Sequence, residues 1–103
     1  MDTLPILKSL SNETRYRILQ WLKEPQLHFG PAAYAHGDCG FAGGVCVGAI
    51  AEKSGLAQSV VSGYLVNMQH AGLLESRRYG QFTYYRRNEQ GIAAFKAVLA
   101  DEL

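Results

Sequence analysis

Apolar residues recur along this chain first at helical spacing, then at every second position, then at helical spacing again. Leu4, Leu7 and Leu10 stand three apart, with Pro5 tolerable in a first turn, and predict a short helix. Ser11, Asn12 and Glu13 supply an N-cap and an early acid for a second helix. Its apolar face is Tyr16, Ile18, Leu19 and Leu22, with Trp21 beside it, and Pro25 closes it. From Val45 the helical pattern returns in Val47, Ile50 and Ala51, and Gly55 stops it. The stretch 56–74, LAQSVVSGYLVNMQHAGLL, predicts a helix over 58–70 that buries Val61, Leu65 and Met68 and ends at Gly72. Then the period becomes two. Leu74, Ser76 and Arg78 alternate with Glu75 and Arg77, and Phe82, Tyr84 and Arg86 alternate with Thr83 and Tyr85. With Tyr79-Gly80 as the turn, these residues predict a two-stranded hairpin. The tail, 90–103, is helical again, with Ile92, Phe95, Val98 and Leu99 on one stripe.

Between the second and third helices lies 26–44, QLHFGPAAYAHGDCGFAGG, where five glycines and a proline forbid a regular element over most of the length. Loops this long are often functional or mobile. The order is helix, helix, loop, helix, helix, hairpin, helix. Two short helices around a glycine-containing turn have the helix-turn-helix shape, whose second helix enters a DNA major groove, and a hairpin directly after it is a wing. The expected fold is therefore mostly α with a small β-hairpin, a winged helix-turn-helix of five helices and a two-stranded wing. Its 103 residues predict one domain, 1–103.

Composition narrows the function more than the fold. The chain is 48% hydrophobic and 18% charged, so a domain this small has apolar surface to share, which favours a dimer. A net charge of +1 is no electrostatic signature, and nucleic-acid binding would have to come from local charge. No apolar run approaches the roughly 20 residues of a membrane span. The start, MDTLPILKSL, carries an acid where a signal peptide carries positive charge. These features predict a cytoplasmic protein with no membrane partner.

The local chemistry points to DNA. The exposed side of the 58–70 helix offers Gln58, Ser59, Ser62, Gly63 and Asn67, which are short or neutral hydrogen-bonding groups. A solvated helix more often carries Lys and Glu. Gln and Ser pair with base edges, and a helix N-terminus presents free N–H groups to phosphate. Read alone, Gln58 and Ser59 are better explained as helix caps; the hairpin that follows turns the reading toward DNA. Arg77, Arg78, Arg86 and Arg87 place four of the ten basic residues on the hairpin, a ribbon able to hold phosphates or reach a minor groove. The expectation is Gln58, Ser59, Ser62 and Gly63 at base edges, Val60 against a thymine methyl, and Tyr64, Arg77, Arg78 and Gln81 on the backbone or minor groove.

The opening LKSLSNETRYRILQWL and the run IAEKSGLAQSVVSGYLVNMQHAGLLESRRYGQFTYYRRNE resemble the ArsR/SmtB family of winged-helix transcriptional repressors, most specifically at SVVSGYL, AGLLESRR and GQFTYYR. The resemblance covers nearly all of the chain except 26–44. It implies a homodimer joined through the first and last helices, bound to a palindromic double-stranded operator and released by an inducer. Leu4, Leu7, Ile92, Phe95, Val98 and Leu99 suit that dimer contact, and ordinary intrachain packing suits the stripe as well. The chain departs from the family at Val60 and Gly63, where threonine and arginine or a similar polar group are frequent. The Cys-x-Cys of arsenic sensors is reduced to Cys46 with Gly48, and the last helix has no histidine for a zinc site.

The remaining chemistry, His28, His36, Asp38, Cys39 and Cys46, clusters in or beside the long loop. Three readings stay open: a metal or metalloid ion on thiolates and imidazoles, a thiol switch between Cys39 and Cys46, and cysteines with a structural role only. Cys39 and His36 can also be drawn as nucleophile and base, but no oxyanion donors or enclosing lobe accompany them, so the chain is not read as an enzyme. The rivals to an inducible repressor are a winged helix used for protein contact and a constitutive DNA binder.

Overall fold

The computed structural model describes residues 1–33 and 40–103. The elements run α1 (Leu4–Leu10), α2 (Glu13–Lys23), α3 (Pro25–His28), a 3₁₀ turn (Pro31–Ala33), β1 (Val45–Cys46), α4 (Val47–Ser54), α5 (Gln58–His70), β2 (Leu74–Tyr79), β3 (Phe82–Arg87) and α6 (Glu89–Glu102). The class is the expected one, a mostly helical winged helix-turn-helix, but both counts rise. Among the described residues there are six α-helices rather than five, and the wing belongs to a three-stranded sheet of order β1-β3-β2 rather than a two-stranded one.

Both differences arise between α2 and α4. Pro25 does not simply close α2. Lacking an N–H, it costs nothing at a first helical position, and it opens α3. Val45 and Cys46 do not begin the third helical pattern. They pair antiparallel with Tyr85 and Tyr84. Two residues are too few to display a period.

The other elements follow local chemistry. The Asn12 side chain accepts from the Arg15 N–H at 3.0 Å and caps α2. Gly55, at φ 74°, closes α4 with its N–H on the carbonyls of Ala51 and Glu52. The Asn88 side chain caps α6 by accepting from Gly91 N–H and donates to the Gly72 carbonyl at 3.0 Å, seating α6 on the turn after α5. Gly91 has no room for a Cβ against that carbonyl.

The core gathers Ile18 of α2, Val45 of β1, Ile50 of α4 and Val61, Leu65 and Met68 of α5, all fully buried, with Leu73, Leu74, Tyr85, Ile92 and Phe95 around them. α1 turns differently from its leucine spacing. It buries Ile6 and Ser9, while Leu4 and Leu7 are 61% and 41% exposed. Tyr16, expected on the inner face of α2, is half exposed. Among the described residues no helix is long and apolar enough to cross a membrane.

Candidate nucleic-acid interface

α4, the turn 55–57 and α5 form the helix-turn-helix. Ser54 organises the turn: its hydroxyl donates to the Ala51 carbonyl at 2.8 Å and accepts from Leu56 N–H at 3.1 Å. The N-cap of α5 is Ala57, and no side chain caps the helix. The cap reading of Gln58 and Ser59 therefore has no bond to support it. Both side chains are exposed, as is the whole run 55–60, including the apolar Leu56 and Val60. Ser62 is half-buried. Gly63 is exposed, and a Cβ there would meet open space, so no neighbour within the chain demands a glycine.

Two residues of α5 are engaged inside the molecule. Tyr64 lies under the Arg15 guanidinium, 5.2 Å from ring centre to cation, and Arg15 also donates to the Ser9 carbonyl at 2.7 Å. Asn67 accepts from the Ser9 hydroxyl at 2.8 Å. This bond ties α1 to α5 and gives Asn67 a structural partner that the sequence did not suggest.

The wing meets α5 at a cleft of about 200 Å³ lined by Cys46, Gly48, Gln58, Ser62, Gln81, Phe82 and Thr83, among others. Gln58, Ser62 and Gln81, each expected from the sequence, are thus brought together. Phe82 and Thr83 were missed. In the alternating pattern Phe82 reads as an ordinary strand aromatic, whereas it is 55% exposed beside the turn.

The β2–β3 register, Arg77 opposite Tyr84 and Arg78 opposite Thr83, sorts the arginines. Arg78 shares a sheet face with Thr83, which lines the cleft; it is exposed and donates to the Gly80 carbonyl at 3.1 Å. Arg77 lies on the other face, where it donates to the Gly40 carbonyl and the Tyr79 hydroxyl, each at 3.4 Å. Arg86 is paired with Glu75 at 2.6 Å, and Arg87 with Glu89 at 3.0 Å. The hydrogen bond from Arg87 holds the Glu89 carboxyl below the usual carboxylate range, with Arg87, Lys96 and Lys23 adding charge. Burial pushes the Tyr85 phenol up. The basic ribbon of the sequence is therefore largely occupied by the chain's own acids and carbonyls.

The candidate sensor residues are divided. Cys46 is half-buried and lines the α5–wing cleft, while by register it shares the Tyr84 face of the sheet. His28 lines a different cleft of about 380 Å³ with Phe29, Ala49, Glu52 and Lys53. His36, Asp38 and Cys39 lie outside the described residues. Among the described residues no three His, Cys, Asp or Glu side chains converge as metal ligands. Of the residues expected at a dimer contact, Ile92 and Phe95 are buried in the chain's own core, Val98 and Leu99 are half-buried, and Leu4 and Leu7 are exposed.

No protein-family model matches the chain. It is 42% identical, over the full length of both proteins, to the uncharacterized HTH-type transcriptional regulator YbzH of Bacillus subtilis strain 168. Its fold matches a crystal structure of a possible transcriptional regulator for arsenical resistance, with a TM-score of 0.69 and 26% identity over 98% of this chain and 83% of the other. It also matches the solution structure of the homodimeric winged helix-turn-helix domain of Mb0332 from Mycobacterium bovis, a possible ArsR-family regulator. There the TM-score is 0.64 and the identity 30%, over 95% of this chain and 77% of that one. Along its whole length, then, this chain belongs to the ArsR family of winged helix-turn-helix transcriptional regulators and is not an enzyme.

Proposed function

We propose that this regulator is a homodimeric repressor that holds a palindromic operator against the exposed face of α5 and the wing and lets it go when the Cys46 thiol is modified. The observation that carries the DNA reading is the composition of the interface: Gln58, Ser59, Val60, Ser62 and Gly63 on α5, and Gln81 on the wing, form a surface of neutral groups without a carboxylate. Neutral donors and acceptors read base edges in the major groove. The uncapped N-terminus of α5 offers backbone N–H groups to a phosphate. Arg78, on the cleft side of the wing, supplies a phosphate contact. Arg77 would have to release the Gly40 carbonyl before contacting DNA, and Tyr64 would have to leave Arg15. Both are therefore assigned supporting roles. Leu4 and Leu7, apolar and exposed on α1, carry the proposed subunit contact with Val98 and Leu99.

The position of Cys46 favours a thiol signal. Cys46 lines the cleft shared with Gln58, Ser62 and Gln81, so an adduct on it alters the edge of the surface proposed to meet DNA. Peroxide would oxidise the thiolate to a sulfenic acid and be reduced to water; trivalent arsenic would bind the thiolate directly. The test is a titration of the reduced protein with the DNA upstream of its own coding sequence, repeated after peroxide and after arsenite or zinc. Binding that is lost on oxidation, restored by reductant and insensitive to peroxide in Cys46→Ala supports the switch. Binding untouched by all three treatments makes the protein a constitutive DNA binder, and no binding to any DNA leaves a winged helix used for protein contact.

A further inference from the structure

Phe41 is the odd residue of the core. It is only 2% exposed, yet it stands outside the apolar cluster formed by the other buried side chains. Its partners are cations. The Arg86 guanidinium lies 4.2 Å and the Arg77 guanidinium 5.1 Å from its ring centre. The chain on either side of Phe41 holds the same two groups: Arg77 donates to the Gly40 carbonyl at 3.4 Å and Arg86 to the Ala42 carbonyl at 3.3 Å. One arginine comes from β2 and the other from β3. By register they are diagonal neighbours on one sheet face.

The glycines of this segment are compatible with the same contact. Gly40 and Gly43 have positive φ, 71° and 81°. Gly44 N–H donates to the Phe41 carbonyl at 3.1 Å and closes the turn, and a Cβ at Gly44 would run into the Phe41 ring. The turn folds the ring back onto the sheet just before the chain enters β1. The wing needs such support. β1 pairs only with Tyr85 and Tyr84, so the hairpin beyond them is a two-stranded ribbon, which is marginal by itself in water.

We infer that residues 40–44 are a brace that sets the wing against α5, with Phe41 as a positioning residue for DNA binding that acts through Arg77 and Arg86. The inference rests on the DNA reading above. It assigns Arg77 to the support of the wing and leaves Arg78, on the opposite face, to the nucleic acid.

The test is a four-way titration with the upstream DNA. The proteins are the wild type, Phe41→Leu, a wing-blind variant (Arg78→Ala with Gln81→Ala) and the combination of all three changes. Phe41→Leu keeps an apolar side chain and removes the ring face that the cations use. A positioning role predicts that Phe41→Leu weakens binding about tenfold in the wild-type wing and less than about twofold in the wing-blind background, because the angle of a wing that makes no contact has no consequence. Equal losses in both backgrounds, or no loss in either, overturn the inference. If Phe41→Leu does not fold, Gly44→Ala, which keeps the ring and crowds it, takes its place with the same two outcomes. Failure of the DNA reading is separately visible: the wild type then shows no salt-sensitive binding. That result removes the inference as well, whereas wild-type binding that weakens in the wing-blind variant but ignores Phe41 removes the inference alone.

Discussion

α5 and the wing face the same cleft, but they are built in opposite ways. α5 is rigid because one side is core: Val61, Leu65 and Met68 are fully buried. Its other side can therefore be left almost without internal bonds, and 58–60 and Gly63 are simply exposed. The wing has no such core beneath its tip. Its side chains hold each other and the preceding loop: Arg86 on Glu75, Arg77 on Gly40, both on Phe41, and Tyr79 edge-on to Tyr84 at 5.8 Å. A cation over an aromatic face contributes about 0.5–2 kcal/mol, more as it is desolvated. Exposed polar groups on a helix with a buried face are thus candidates for a partner, whereas arginines on a ribbon first have to be asked what they hold in place.

The contrast can be broken most strongly at the helix. Leu65→Ala should cost 2–5 kcal/mol of unfolding free energy by urea denaturation, the usual range for emptying a packed site. Ser59→Ala, one turn and a half away on the open side, should change stability by less than about 0.5 kcal/mol and relax sequence preference across operator variants. Equal loss of affinity on every sequence would return Ser59 to a purely local role. Gly63→Ala sharpens the point because its two effects have opposite signs. A Cβ there meets nothing, so stability should rise by about 0.5–1 kcal/mol. DNA affinity should fall, since the glycine leaves the helix backbone open to close approach. A melt and a titration on the same sample read both, and unchanged affinity would show that the glycine serves nothing at the interface.

The smallest effect belongs to the wing's base. The folded-state pKa of Glu89 is lowered by Arg87, so its contribution is present above the unfolded carboxylate pKa and disappears as pH falls through the folded one. The carboxylate is largely exposed, so the contribution is small and salt should erase it. Glu89→Gln should flatten that acid limb slightly in low-salt melts and leave neutral-pH DNA binding unchanged.

The sequence made the helices around the core legible because their period is long enough to count. Val61, Leu65 and Met68 could be assigned before any coordinates. The hairpin was legible from its alternation and from Gly80, which adopts φ 59°. What escaped was short or reciprocal. β1 has only two residues, and its partners lie about forty positions away. Leu4 and Leu7 counted as a stripe, yet the chain buries Ile6 and Ser9 instead, because Ser9 is satisfied by Asn67. The glycines at 40, 43 and 44 read only as a break in regular structure. Their purpose depends on Phe41 meeting two arginines that come after it in the chain. Base-edge candidates could be chosen from side-chain chemistry, but Arg77 and Arg78 are adjacent and identical in one dimension. Only the strand register separates them.

That separation also gives the most direct test. The affinity of the reduced protein for its own upstream DNA should be measured over a series of salt concentrations, for the wild type, Arg78→Ala and Arg77→Ala. Phosphate contacts release counterions, so log affinity should fall linearly with log salt, and removing one contact should reduce the slope by about one. That reduction is expected for Arg78→Ala, and a wild-type slope for Arg77→Ala, whatever its affinity. A wild-type protein without salt-sensitive binding, or a slope that changes with Arg77 and ignores Arg78, would contradict this expectation.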